Sequence, residues 1–265
     1  MALSDTYGNY QKEVEQACSD GQKAAIRFQK NLPKMIGEIR PRLRDAWKAI
    51  KENSKVSAPQ RLVVEIFAWS SVMVLATSVG SMLGAYVLGS VIGVVFSKFT
   101  ASLIAYFIFP IAIHSSIRHK EMNFESDNGI RRMMLIMSFV QGILAGYTIN
   151  QRYLFAQPLA FVTPVAVSFG YAAVVQRAKG DRYMILASSL GAALIMNLLL
   201  GLMAGALSTS YEYLALGYVA ISGVVMQLVF HNAHWTRGHV YQNILNALFV
   251  FFKGMTFYCF GTYIE

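Results

Sequence analysis

Gln227, His231 and His234 recur at i, i+4 and i+7, and Gln242, Asn246 and Lys253 at i, i+4 and i+11, inside stretches that are otherwise apolar. On a helix each set falls on one face. A polar group at membrane depth costs several kcal/mol unless it is satisfied, so such faces point into a bundle and carry the functional information. Lys98 and Asn197, polar residues in two further apolar stretches, could complete the centre. Lys98 sits about 10 Å from its helix end at 1.5 Å per residue, so it is placed either to be buried or to snorkel. The candidate polar centre is therefore His231, Gln242, Asn246, Lys98 and Lys253. Its chemistry is hydrogen bonding, imidazole titration and fixed positive charge.

That set excludes several classes of chemistry. The apolar stretches hold no Asp or Glu to act as a general acid or base, and no G-x-S-x-G is present. His231, His234 and His239 have no Cys or carboxylate beside them, and their spacing is not the i, i+4 pairing of a metalloprotease helix. Neither a catalytic residue, nor a metal, nor a cofactor is expected, and the chain reads as a non-enzyme.

The elements that must position these residues follow from the charges. Charge-free intervals run 66–97, 99–117, 133–151, 153–176, 183–211, 213–236 and 238–252. About 20 apolar residues cross a bilayer as a helix. With 265 residues, 55% of them hydrophobic, and a mean hydropathy of +0.43, the chain reads as all-α and polytopic. Runs this long exclude barrel strands. Seven helices are placed at 62–84, 91–113, 132–150, 157–176, 183–205, 213–231 and 241–262. Cys18 and Cys259 have no partner at redox or metal spacing.

Loop charge sets orientation. Arg118, Lys120, Arg131 and Arg132 follow the second helix; Arg177, Lys179 and Arg182 follow the fourth; Arg237 follows the sixth; Arg152 stands alone on the other side. The positive-inside rule puts the first group and the N-terminus on the cytoplasmic or matrix side. The net charge of +9 is then topology and attraction to lipid. No stacking aromatics interleave with the charges as a nucleic-acid interface requires.

Residues 1–60 form a separate polar arm before the bundle at 61–265, and they lack the pattern of a signal peptide. Pro41 opens a helix in which Leu43, Trp47 and Ile50 form an apolar stripe. Arg42, Arg44, Lys48 and Lys51 lie between them. This arm is expected to lie on the membrane surface or to dock on a partner subunit.

Packing signals accompany these elements. Gly80/Gly84, Gly89/Gly93, Gly142/Gly146 and Gly201/Gly205 are G-x-x-x-G pairs, read as close packing within the bundle. Pro110 and Pro164 are expected to kink their helices.

From about 60 to 258 the order of segments resembles the transmembrane Bax inhibitor motif family. The stretches that carry this are the charged 114–132 loop, Pro158 to Thr163, Arg177 to Tyr183, Tyr218 to Phe230 and Asn246 to Lys253. The resemblance implies a seven-helix fold with a cytosolic N-terminus, a proton-sensitive calcium leak and suppression of cell death. It also implies residence in the endoplasmic reticulum or the mitochondrial inner membrane. The family's acidic residues fall on His231, Gln242 and Asn246, which cannot share a proton or bind Ca²⁺ as a carboxylate pair does. Two functions are open at this point. One is a structural or regulatory accessory subunit held by lipid and other membrane subunits; the other is a pH-gated cation leak sensed by His231.

Overall fold

A computed structural model of the chain describes residue 44 and residues 46–56, 59–232 and 237–263. Two units separate between Lys51 and Glu52. In the first, residues 46–51 are helical. Trp47 is 59% exposed, and the Lys51 ammonium sits 5.0 Å over its ring. Lys48 is also exposed, and Ile50 is half-buried. Of the remaining arm residues, Arg44 is described and exposed, whereas Arg42 and Leu43 lie outside the described residues.

The second unit is a helical bundle. Its helices are α1 (Gln60–Tyr86), α2 (Gly89–Val95), α3 (Lys98–Met122), α4 (Asp127–Ile149), α5 (Val162–Val174), α6 (Arg182–Met203), α7 (Thr209–Asn232) and α8 (Gly238–Phe260). Two short strands, β1 (Arg152–Tyr153) and β2 (Thr262–Tyr263), pair antiparallel with Arg152 opposite Tyr263. Among the described residues six helices, α1, α3, α4, α6, α7 and α8, are long and apolar enough to cross a membrane.

The expectation of seven long helices is thus corrected at the fourth. Instead of 157–176, α5 has 13 residues, about 20 Å at 1.5 Å per residue. Pro158 biases Gln157 out of the helical region, and Pro164 is the third residue of α5. In a first turn its missing N–H costs nothing, so Pro164 opens the helix and does not kink it.

The second predicted helix, 91–113, is also redrawn. The Ser97 hydroxyl accepts the Thr100 N–H at 3.1 Å and caps a new helix, α3, which runs on to Met122. Within α3, residues Ile104–Ile108 form a π turn that ends two residues before Pro110. Here the expected proline distortion does occur, because Pro110 has no N–H for the preceding turn.

The tightest contact joins α1 to α4, where two G-x-x-x-G pairs face one another. A Cβ on Gly84 would lie 1.9 Å from the Ile143 carbonyl oxygen, and one on Gly146 would lie 2.0 Å from that of Ser81. Backbone therefore packs directly on backbone, as the small-residue reading expects. In Gly201/Gly205, Gly201 is also a close contact, since a Cβ there would lie 2.7 Å from the Tyr211 ring, and the pair ends a helix as well. Gly205 has φ +60, and Ala206 and Gly205 donate to the Gly201 and Leu202 carbonyls, closing α6 in a Schellman motif.

Aromatic and aliphatic side chains fill the rest of the core between α1, α5, α6, α7 and α8. Tyr218 stacks on Phe249 at 4.5 Å between centroids.

Candidate functional site

Asn246 of α8 is fully buried, and every amide atom finds a partner. The Thr77 hydroxyl of α1 lies 2.9 Å from Asn246 Oδ1 and 2.9 Å from the Met73 carbonyl oxygen. Asn246 Nδ2 donates to Gln141 Oε1 at 3.2 Å and to Ser138 Oγ at 3.4 Å, both on α4. Gln141 Nε2 in turn donates to the Ala105 carbonyl at 3.0 Å.

The π turn explains that last bond. In it Ile104 accepts from the N–H five residues on, that of Phe109. The equivalent donor for Ala105 would be Pro110, which has none, and the Gln141 amide takes its place. One amide node thus holds α1, α3, α4 and α8 together. Sequence reasoning found Asn246 and missed Thr77, Ser138 and Gln141. Gln141 is an amide in a charge-free interval beside Gly142, and that signal could have found it.

Of the other members of the expected centre, Lys253 stays beside Asn246, whereas Gln242, Lys98 and His231 lie elsewhere. Lys253 lines a narrow crevice with Asn246, Ser78, Ser81 and Tyr106, with room for about one water. Its ammonium lies 5.7 Å from the Phe257 ring. Gln242 is one turn nearer the start of α8 and buried, with Oε1 unpartnered. Lys98 is the first residue of α3 and donates to the Gln151 side chain across the helix ends. Asn197 pairs instead with Thr163 and the Ala193 carbonyl, 3.0 and 2.9 Å away, joining α6 to α5.

His231 does not reach the amide node. It is the penultimate residue of α7, and its Nδ1 lies 2.5 Å from the Glu52 carboxylate. Arg182, 3% exposed, donates to the Glu52 carbonyl at 2.8 Å and lies 3.6 Å from its carboxylate. Ser54 also donates to that carboxylate. The Ser54 hydroxyl, the His231 ring and the Arg182 charge together outweigh burial and hold the Glu52 pKa down at about 2, from 4.5. With the Val56 N–H on the Gly180 carbonyl at 2.9 Å, this cluster fastens residues 52–56 to the start of α6 and the end of α7.

The same end carries a second polar group. Arg131 of α4 pairs with Glu65 of α1 and lies 4.7 Å over the Trp69 ring. His239, in the first turn of α8, has Nδ1 3.5 Å from Glu121 Oε1 without a hydrogen bond. At the opposite end Arg152 lies 4.4 Å from each of the Tyr258 and Tyr263 rings and donates to the Tyr258 carbonyl at 2.6 Å. The solitary arginine of that side is thus a clasp closing β1 on β2. Among the described residues no three His, Cys, Asp or Glu side chains group as metal ligands. His234 lies outside the described residues.

Comparison with known proteins corrects the expected family. No Bax inhibitor motif model matches the chain. The short stretches that suggested one are apolar helices edged by basic loops, a pattern that orientation in a membrane imposes on unrelated polytopic proteins. No curated protein and no solved structure matches it. The family model that does match is described as Interactor of ZYG-11 and covers residues 2–263. A match over nearly the whole length shows that the chain belongs to the Interactor of ZYG-11 family.

Proposed function

We infer that this is an integral membrane protein whose task is to hold a docking surface for a soluble protein partner, and that ZYG-11, for which its family is named, is that partner. The observation that carries the reading is the division of polar groups. The interior node consists of amides and hydroxyls that satisfy one another. Lys55, Arg61, Arg118, Arg132, Arg177, Lys179 and Arg237 are all exposed, outside that interior. Self-satisfied amides fix helices in register. A concentrated positive end steers and orients an acidic partner.

His231 at the rim, paired with Glu52, supports this accessory role over a proton-sensing leak. In this reading it holds residues 52–56 against the start of α6 and the end of α7.

The test is capture of purified ZYG-11 by the full-length protein in nanodiscs. Binding is expected to weaken as salt rises and to fall about tenfold when Arg177 and Lys179 are both changed to Glu. Absence of capture at micromolar protein would sink the proposal. So would capture indifferent to both salt and charge reversal.

A further inference from the structure

Where α1, α4 and α8 begin, a cavity of about 430 Å³ is lined by Glu65, Asp127, Arg131, Arg237, His239 and Gln242, with Leu62 and Ile66 as its apolar wall. That is the size of a small-ligand site. Two of the lining side chains are more than nine-tenths buried and have unpartnered atoms: both ring nitrogens of His239, 5% exposed, and Oε1 of Gln242, 2% exposed. Buried polar atoms without partners cost free energy unless something bound there satisfies them. The first turn of α8 adds to this demand, because Arg237 at its N-cap makes no side-chain cap and a helix start favours negative charge.

The charges around the cavity are mixed. Arg131 is already neutralised by Glu65. That leaves Arg237, beside the positive end of α8, and Asp127, the first residue of α4, with Glu121 behind His239. A simple anion would meet Asp127 and Glu121, and a simple cation would meet Arg237. A ligand carrying both charges a few ångströms apart meets neither conflict. A groove lined by Gln60, Arg61, Val64, Trp69 and Ala172 shares Glu65 with the cavity and offers a mainly apolar surface next to it.

We propose that this cavity binds the headgroup of an aminophospholipid. Arg237 and the first turn of α8 take the phosphodiester, Asp127 and Gln242 Oε1 take the primary amine, and the acyl chains leave along the Trp69 groove. The inference rests on the reading of the long helices as membrane spans, which would set this end of the bundle at headgroup depth.

Full-length protein in detergent is offered equimolar phosphatidylethanolamine, phosphatidylcholine and phosphatidylglycerol, and retained lipid is read by native mass spectrometry. Phosphatidylethanolamine is expected at least about fivefold above either competitor, a difference near 1 kcal/mol. Asp127→Asn and Arg237→Gln should each abolish the preference, while Lys120→Gln, outside the cavity and paired with Glu125, should leave it. Folding of each variant is checked by its elution volume and thermal midpoint.

Equal retention of all three lipids, or a preference for phosphatidylglycerol, overturns the assignment, as does a preference surviving both cavity variants. Glycerophosphoethanolamine, which has the headgroup without chains, is expected to displace the lipid only at about hundredfold excess. Displacement at equal concentration would make the ligand a soluble phosphoamine. Retention of no lipid, in a protein that stays dispersed without detergent, would refute the membrane reading itself.

Discussion

At the scale of single residues, the informative side chain is Glu52. Its carboxyl titrates at about 2 in the folded protein against 4.5 ordinarily. A depressed acid contributes stability that is complete above the unfolded value and lost as pH falls through the folded one. The thermal midpoint of the detergent-solubilised protein should therefore decline between pH 4.5 and 2. Glu52→Gln should lower the midpoint at neutral pH and flatten that acid limb. An unchanged limb would mean that the Ser54, His231 and Arg182 contacts do not hold the carboxylate in solution. Glu52 could not have been singled out from sequence, because two of its three partners, Arg182 and His231, are 130 and 179 residues away. His231 was visible as a polar residue in an apolar stretch, but its depth was not. One or two residues at a helix end separate a buried imidazole from one at the rim.

At the scale of elements, small-residue spacing was legible and its consequence can be measured. Gly142→Leu would drive a side chain into the Thr77 carbonyl, 2.2 Å from a Cβ at that position. It should cost about 3 kcal/mol or more, since backbone cannot move aside as a side chain can. Gly191, in the interior of α6, has nothing within 4 Å of such a Cβ. Gly191→Ala should therefore stabilise the protein by about 0.5–1 kcal/mol through helix propensity alone. Equal effects at the two sites, read from detergent melts, would contradict the α1–α4 backbone contact. The helix boundaries at α3 and α5 were misjudged for a local reason. Apolar continuity hides a break when the break is made by a single capping Ser97 or by Pro158, neither of which interrupts the hydropathy.

For the whole molecule, the pairing of Arg131 with Glu65 and the Glu52 cluster bring the starts of α1, α4 and α6 and the end of α7 to one end. The β1–β2 pair brings the ends of α4 and α8 to the other. If these ends face opposite sides of a membrane, exposed Cys259 near the end of α8 and a cysteine introduced by Lys179→Cys should react with an impermeant thiol reagent from opposite faces of sealed vesicles. A Cys18→Ser background removes the remaining thiol. Labelling of both from one face would refute the proposed topology. The helical class and the presence of long apolar helices follow from the sequence alone, because composition and hydropathy act locally along a chain. Which polar residues meet was decided by the tertiary structure. The node of Asn246, Gln141, Thr77 and the Ala105 carbonyl, and the removal of His231 to the rim, depend on helix depth and rotation, which glycine contacts and one proline set across distant segments.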